Sequence, residues 1–334
     1  MCKNHSVPLI ALIFLFIFSC ILKLALKDGK ISLDFIEGIL AGKKSSIFIF
    51  YNLRLPSLVA AVSCSVLVVI STYILQTISK NDLADPSALG YNNIAITVLA
   101  ILFIYIPAAR YLSFFQILTL SGLVIFIFAL FMYYFSRTTA NMIDGNILLL
   151  IGIGINTFFQ MILSYIKTYA GNISEMLTVL MQGNFDHLEL STSITLSFIT
   201  GGILIMFLFL VIPVRVLQLG NLTATSLGLN IKQTSFILFF IMSGAVAVSV
   251  MFGGTFPFIG FTSIHIMRHF YGGNFKLHFI SSILCAAAII ILSDIVAHQM
   301  FSTILPTNIF LGLFGGTGFL IILLQRRAGE WQSV

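Results

Sequence analysis

From Arg215 to Gln233 the chain reads RVLQLGNLTATSLGLNIKQ, the longest clearly polar interruption between strongly apolar segments in its middle. Arg215 and Lys232 stand near its two ends, where cations mark the cytoplasmic edges of membrane spans. Within it, Asn221 is placed to cap a short helical turn through Ala224 to Leu227, and Gly228 to end that turn in the left-handed region. The pattern predicts two short helices with a glycine joint. A bland connector would need only a few residues. By itself the stretch still allows a solvated loop with no partner.

The composition on either side fixes the class. Of 334 residues, 59% are hydrophobic and 8% charged, and the mean hydropathy is +1.08. A soluble domain carries about 25% charged residues, so this much apolar surface calls for lipid as its solvent. The net charge of +6 is spread singly between apolar runs, which reads as a membrane protein and not as a nucleic-acid binder. The four cysteines, Cys2, Cys20, Cys64 and Cys285, form no CxxC pair. Cys64 and Cys285 fall inside apolar runs, as small hydrophobes do, and no disulfide framework follows.

The expected fold is an all-α polytopic membrane protein of about ten transmembrane helices, organised as a single permease-type domain over residues 1–334 with its central polar loop at about 215–233. The expected spans are Val7–Leu26, Pro56–Ser79, Tyr91–Ala109, Leu112–Phe135, Asn146–Ile166, Ser193–Val214, Ser235–Phe252, Phe256–Tyr271, Leu277–Ala297 and Asn308–Leu324. The first has a basic start but no small-x-small cleavage site, so it reads as an anchor and not as a signal peptide. The eighth is short and polar, which predicts shielding by neighbouring helices. An even number of spans puts both ends on one side, and the Lys and Arg distribution favours the cytoplasm by nine to eight. Outside lie Lys27–Arg54, amphipathic around Phe35–Leu40, and Lys167–Leu190. Glycines recur inside the spans, at Gly152 and Gly154, Gly201 and Gly202, Gly253 and Gly254, and Gly315, Gly316 and Gly318. They predict close helix approach.

Five blocks, in order, carry a resemblance. They are Arg54-Leu55-Pro56; Gln76 with NDLADP from Asn81 to Pro86 and Leu89-Gly90; LQLGNLTATSLGL in the central stretch; GTFPFIGFTSIHIMR from Gly254 to Arg268; and Ser293-Asp294-Ile295-Val296-Ala297 followed by Leu305-Pro306 and Gly312. Together they resemble the permease subunits of binding-protein-dependent ABC importers for iron–siderophore complexes, haem and cobalamin, the FecCD/BtuC-like permeases. The chain departs from that pattern at Ser57, Asp82, Asn221, Ile264 and His298, where the family has arginine, proline, glutamate, proline and often arginine.

The resemblance implies a transport subunit, not an enzyme, in a bacterial cytoplasmic (inner) membrane. Two permeases, identical or paralogous, would form the pore. Two cytoplasmic ATPases would hold ATP and Mg and grip Leu217, Leu219, Gly220, Asn221, Leu222, Ala224, Leu227 and Gly228, while the chain itself binds no cofactor. An extracytoplasmic binding protein would dock at Arg54 and His298. Gln76, Asn81, Pro86, Gly90, Gly254, Gly260, His265, Arg268, Asp294 and Pro306 would serve packing and conformation. The implied cargo is an iron–siderophore or haem-type chelate, with cobalamin as the alternative.

Other constellations have weaker readings. His265 and His269 share a helix face at i, i+4, but no acid or thiol joins them as a metal site would want. Asp294 near a helix end reads as a hydrogen-bonded structural acid before a proton relay. Asp186, His187 and Glu189 lack a partner nucleophile. An ion-coupled carrier, the rival of another class, would want acids in mid-span, and an intramembrane enzyme would want HExxH or paired aspartates. Neither pattern is in the sequence, and neither is a Walker P-loop.

Overall fold

The computed structural model describes residues 6–27, 30–31, 41–106, 114–136, 145–169, 185, 188–299 and 305–327. Among them, helices form wherever the sequence runs apolar without interruption, since a chain in lipid must satisfy its backbone groups internally. Phe35–Leu40, Arg137, Asp186 and His187 lie outside the described residues.

The helices in chain order are α1 (Ser6–Ala25), α2 (Lys44–Ile49), a π-helical turn at Phe50–Arg54, α3 (Leu55–Ser79), α4 (Tyr91–Tyr105), α5 (Phe114–Phe135), α6 (Gly145–Tyr169), α7 (Leu190–Phe209), α8 (Val211–Gln218), α9 (Asn221–Ser226), α10 (Ile231–Gly253), α11 (Ile259–Tyr271), α12 (Phe275–Gln299) and α13 (Thr307–Arg327). A departure from all-α is one two-residue antiparallel pair, β1 (Leu26–Lys27) with β2 (Lys30–Ile31). Among the described residues, seven helical segments are long and apolar enough to cross a membrane, and two shorter apolar ones lie at Tyr91–Tyr105 and Thr119–Phe135.

Each of the ten apolar stretches coincides with a helix to within a few residues. The sixth differs most. Its helix stops at Phe209, and α8 starts at Val211 after Leu210 leaves helical geometry. Pro213 explains the break: it has no N–H to give the carbonyl of Phe209, and its ring crowds that turn. The central polar unit therefore starts inside what reads as a span.

The chain forms two compact units. One comprises Met1–Val69, Gly183–Thr200 and Phe256–Val334, the other Ile70–Gln182 and Gly201–Thr255. In the first, α12 packs against α1, α11 and α13, and α11 also meets α13. Its core includes Leu12, Met267, Tyr271 and Cys285. Nine of the thirteen residues of α11 are buried, the shielding its polar sequence predicts. Gly315 and Gly318 of α13 allow this: a Cβ at Gly315 would lie 2.3 Å from the carbonyl oxygen of Pro257, and one at Gly318 would lie 2.5 Å from Thr262 Cγ2.

In the second unit α10 packs on α5, and α4 on α5 and α6. The segment between α3 and α4 is not helical, yet Ala84, Asp85 and Leu89 are buried. It runs along α6. Ser79 backs onto Gly145, Leu89 onto Gly152, and Gly90 onto Asn156. Irregular backbone survives at membrane depth only when protein covers it, and the first half of α6 is that cover.

Candidate functional site

The central stretch folds as the sequence predicts in outline and differs in one detail. α8 and α9 are two short helices joined at Gly220, whose φ is +108°. Gly220 itself occupies the N-cap of α9, so Asn221 is the first helical residue and not the cap. The side-chain cap falls instead on Asn230, whose Oδ1 accepts from the amide of Gln233 at 3.2 Å and opens α10. The far end of α9 closes as expected. Gly228 has φ +81°, its amide donates to Thr225 O at 2.9 Å, and that of Leu229 to Ala224 O at 3.0 Å. These are the paired bonds of a Schellman turn.

This backbone sorts the apolar residues into two sets. Leu217 and Ala224 are buried, whereas Leu219, Leu222 and Leu227 are 66%, 80% and 63% exposed. Three leucines project from a polar element between two long helices. Gln218 Nε2 donates to Thr77 Oγ1 at 3.3 Å, which fastens α8 to the end of α3. The element is thus tied to a long helix on one side and presents leucines on the other.

The residues of the second sequence block come together as one turn system. Gln76 Nε2 donates to Asp82 O at 2.9 Å, and Asn81 Oδ1 accepts from the Leu83 amide at 2.9 Å. The amide of Leu89 reaches Pro86 O at 3.2 Å. Gly90 is left-handed at φ +83°, and a Cβ there would sit 2.7 Å from Asn156 Cα. Glycine is therefore required twice over, by backbone conformation and by space.

At one end of the first unit, Asp294 gathers three partners. It is ion-paired with Lys23 of α1, accepts from Thr307 Oγ1 at 3.1 Å, and lies 3.3 Å from His298 Nδ1. Arg54 donates to the carbonyl of Leu24, the residue after Lys23. The structure so brings Arg54, His298 and Asp294 to one neighbourhood. His298 is not on an outer surface there: its side chain is 6% exposed and lies against Asp294. Sequence reasoning passed over Lys23, which lies in the last turn of α1.

The fourth block builds α11 and its entry. Gly254 ends α10 at φ +71°, and Phe258 is left-handed at φ +57°. Gly260 and His265 are buried, and the His265 ring stacks on Phe261 with centroids 5.0 Å apart. His269 is exposed, so the two histidines have different surroundings. Arg268 lies in the last turn of α11. His278, which sequence reasoning passed over, meets Ile264 O through Nε2 at 2.9 Å and joins α12 to α11. Pro306 precedes α13, and its carbonyl accepts from the Ile309 amide at 3.1 Å.

The family model described as the FecCD transport family matches residues 13–325. The chain is 26% identical to the hemin transport system permease protein HmuU of Yersinia pestis over 84% of each chain. It is 25% identical to the vitamin B12 import system permease protein BtuC of Vibrio parahaemolyticus over 82% of each. A solved structure described as an inward-facing metal-chelate type ABC transporter superimposes with a TM-score of 0.79 at 19% identity, covering 96% of this chain and 100% of that one, and it shares the fold. With its apolar helices and its match over nearly all of its length, the chain is a multi-pass membrane permease of the ABC-transporter type and belongs to the FecCD transport family.

Proposed function

We propose that this chain is the membrane-spanning half of an ATP-driven importer, with ten spans and both ends in the cytoplasm, working as one permease domain of a pair. The observation that carries the reading is the α8–α9 element, which projects Leu219, Leu222 and Leu227 from a turn locked by Gly220 and Gly228. Exposed leucines on a rigid polar element want a protein partner. A cytoplasmic ATPase with an apolar cleft fits them, and the tie from Gln218 to Thr77 gives its motion a route into α3. ATP and Mg belong to that partner, and the chain does no chemistry of its own.

The cargo reading rests on kinship. Relatives are named for hemin and for iron chelatin, which favours an iron–siderophore or haem-type chelate delivered by an extracytoplasmic binding protein. A relative named for vitamin B12 import keeps cobalamin as the alternative. The ligand retained by the co-purified binding protein decides between them. Docking at the extracytoplasmic end is assigned to Arg54, which is half-buried and more open than His298, whose side chain is 6% exposed.

The test is uptake into proteoliposomes holding the permease, its ATPase and its binding protein, with no ion gradient. ATP-dependent uptake is expected. Uptake that ignores ATP and follows an imposed proton or sodium gradient would overturn the reading in favour of an ion-coupled carrier.

A further inference from the structure

Both ends of the central polar stretch are fastened to long helices of the second unit. Near its start, Gln218 reaches Thr77 of α3. Near its finish, the hydroxyl of Tyr133 donates to the backbone carbonyl of Lys232 at 2.9 Å. Tyr133 lies in the last turn of α5 and is 2% exposed. Lys232 is the second residue of α10.

Three observations give this second tie its meaning. The first is the acceptor. A side-chain acceptor can swing to another rotamer, whereas a carbonyl in the first turn of a helix moves only with the helix. Such a carbonyl accepts the amide four residues on and keeps a second lone pair for the tyrosine. The second is the stiffness of the chain between the exposed leucines and that carbonyl. The amides of Gly228 and Leu229 close α9, the Asn230 side chain caps α10, and the Thr234 amide donates to Asn230 O at 3.0 Å. Displacement of Leu227 is therefore passed on to Lys232. The third is the kind of contact α5 makes with the rest of α10. The Tyr133 ring meets Phe236 and Phe239 edge-on, with centroids 5.8 and 5.5 Å apart. Phe126 meets Phe240 at 5.3 Å, and a Cβ at Gly122 would lie 4.0 Å from that of Ala247. Apolar contacts are non-directional, so they hold the two helices together and leave sliding open. A hydrogen bond tolerates only a narrow range of distance and angle, and this one fixes the register of α5 against the first turn of α10.

We infer that Tyr133 is a positioning residue for coupling, which makes α5 move with α10 when the partner ATPase displaces the α8–α9 element; the inference rests on the ATPase-docking reading of that element. Motion of α9 enters α10 through the backbone. The Tyr133 hydroxyl passes it to α5, and α4, which packs on both α5 and α10, follows. Tyr133→Phe separates this role from packing, because it keeps the ring contacts and removes only the bond to Lys232.

The experiment uses the complex of permease, ATPase and binding protein in proteoliposomes. Phosphate release from ATP is measured with and without the binding protein carrying the cargo it co-purifies with. The ratio of the two rates cancels the fraction of folded complex, so destabilisation alone does not move it. In Tyr133→Phe the ATPase should stay bound and the ratio should fall at least threefold. A wild-type ratio in Tyr133→Phe overturns the inference. If Leu222→Asp loses stimulation in the same assay, the ATPase reading stands and only the part given to Tyr133 falls; if both variants keep it, the reading itself falls. A second measurement needs no Tyr133 variant. Spin labels at Phe135 of α5 and Ile237 of α10, both exposed, should keep a constant separation when ATP is added to the otherwise wild-type complex. A separation that changes on ATP addition would show α5 sliding along α10 and would also overturn it.

Discussion

Asp294 shows what a single buried charge demands. Its partner Lys23 is equally buried, and removing one member of such a pair leaves the other uncompensated at a cost of about 3–5 kcal/mol. Asp294→Ala should therefore lower the melting temperature of the purified permease sharply. The double replacement Lys23→Met with Asp294→Leu should melt close to wild type, since an apolar pair of similar volume removes the desolvation cost. Equal melting of Asp294→Ala and wild type would show that the cluster does not hold α1 to α12. Glycines divide in the same physical way. Gly315→Ala drives a methyl to 2.3 Å from a backbone oxygen and should destabilise. Gly202→Ala meets nothing within 4 Å and should stabilise by up to ~1 kcal/mol through helix propensity. Thermal melts of the two variants should move in opposite directions. From the sequence these glycines look alike, because the difference lies in what faces them across the fold.

Among the elements, the two ends of α9 separate what a sequence can say from what it cannot. The Schellman closure at Gly228 was legible, since few residues other than glycine suit φ +81° after a helical turn. The N-cap was not, because Gly220 and Asn221 both suit that position and backbone geometry chose between them. Loss of a side-chain cap costs about 1 kcal/mol. Asn230→Ala should pay that and Asn221→Ala should not, as read by thermal stability of the complex; equal losses would contradict the cap assignment. The break at Leu210 was legible in Pro213 but was overridden by hydropathy, which runs unbroken through it. The irregular segment between α3 and α4 could be recognised as a motif, yet its course along α6 depends on close approaches at Gly145, Gly152 and Gly90 that no local pattern encodes.

For the molecule as a whole, the apolar composition and the five ordered blocks were enough to reach the family, because both are properties of the chain and not of its packing. The site was legible only in part. The leucines of the central stretch could be named in advance, and their exposure could not. A pore between two permeases needs a second copy or a paralogue, so cross-linking in native membranes should give a permease dimer within an assembly of two permeases and two ATPases. An active complex with one permease copy would refute it. If the binding protein docks at Arg54 as proposed, Arg54→Glu should weaken its affinity by more than the ~0.2–1 kcal/mol of one exposed ion pair, since repulsion replaces attraction; unchanged affinity would contradict the docking assignment.

The claim on which the rest depends is that α8–α9 carries ATPase motion into the spans. The direct measurement is ATP hydrolysis by the reconstituted complex, stimulated by loaded binding protein, in wild type, Leu222→Asp and Gly228→Val. Leu222 is 80% exposed, so its replacement leaves the permease folded while putting an unpaired charge into the contact. Gly228→Val forces a β-branched residue into a left-handed position. Both variants should insert and still dock the binding protein, and in both the stimulated rate should fall by about tenfold or more, the size expected when a central anchor of an interface is lost. Wild-type stimulated hydrolysis with uptake intact in both would mean that the stretch from Arg215 to Gln233 is only a connector.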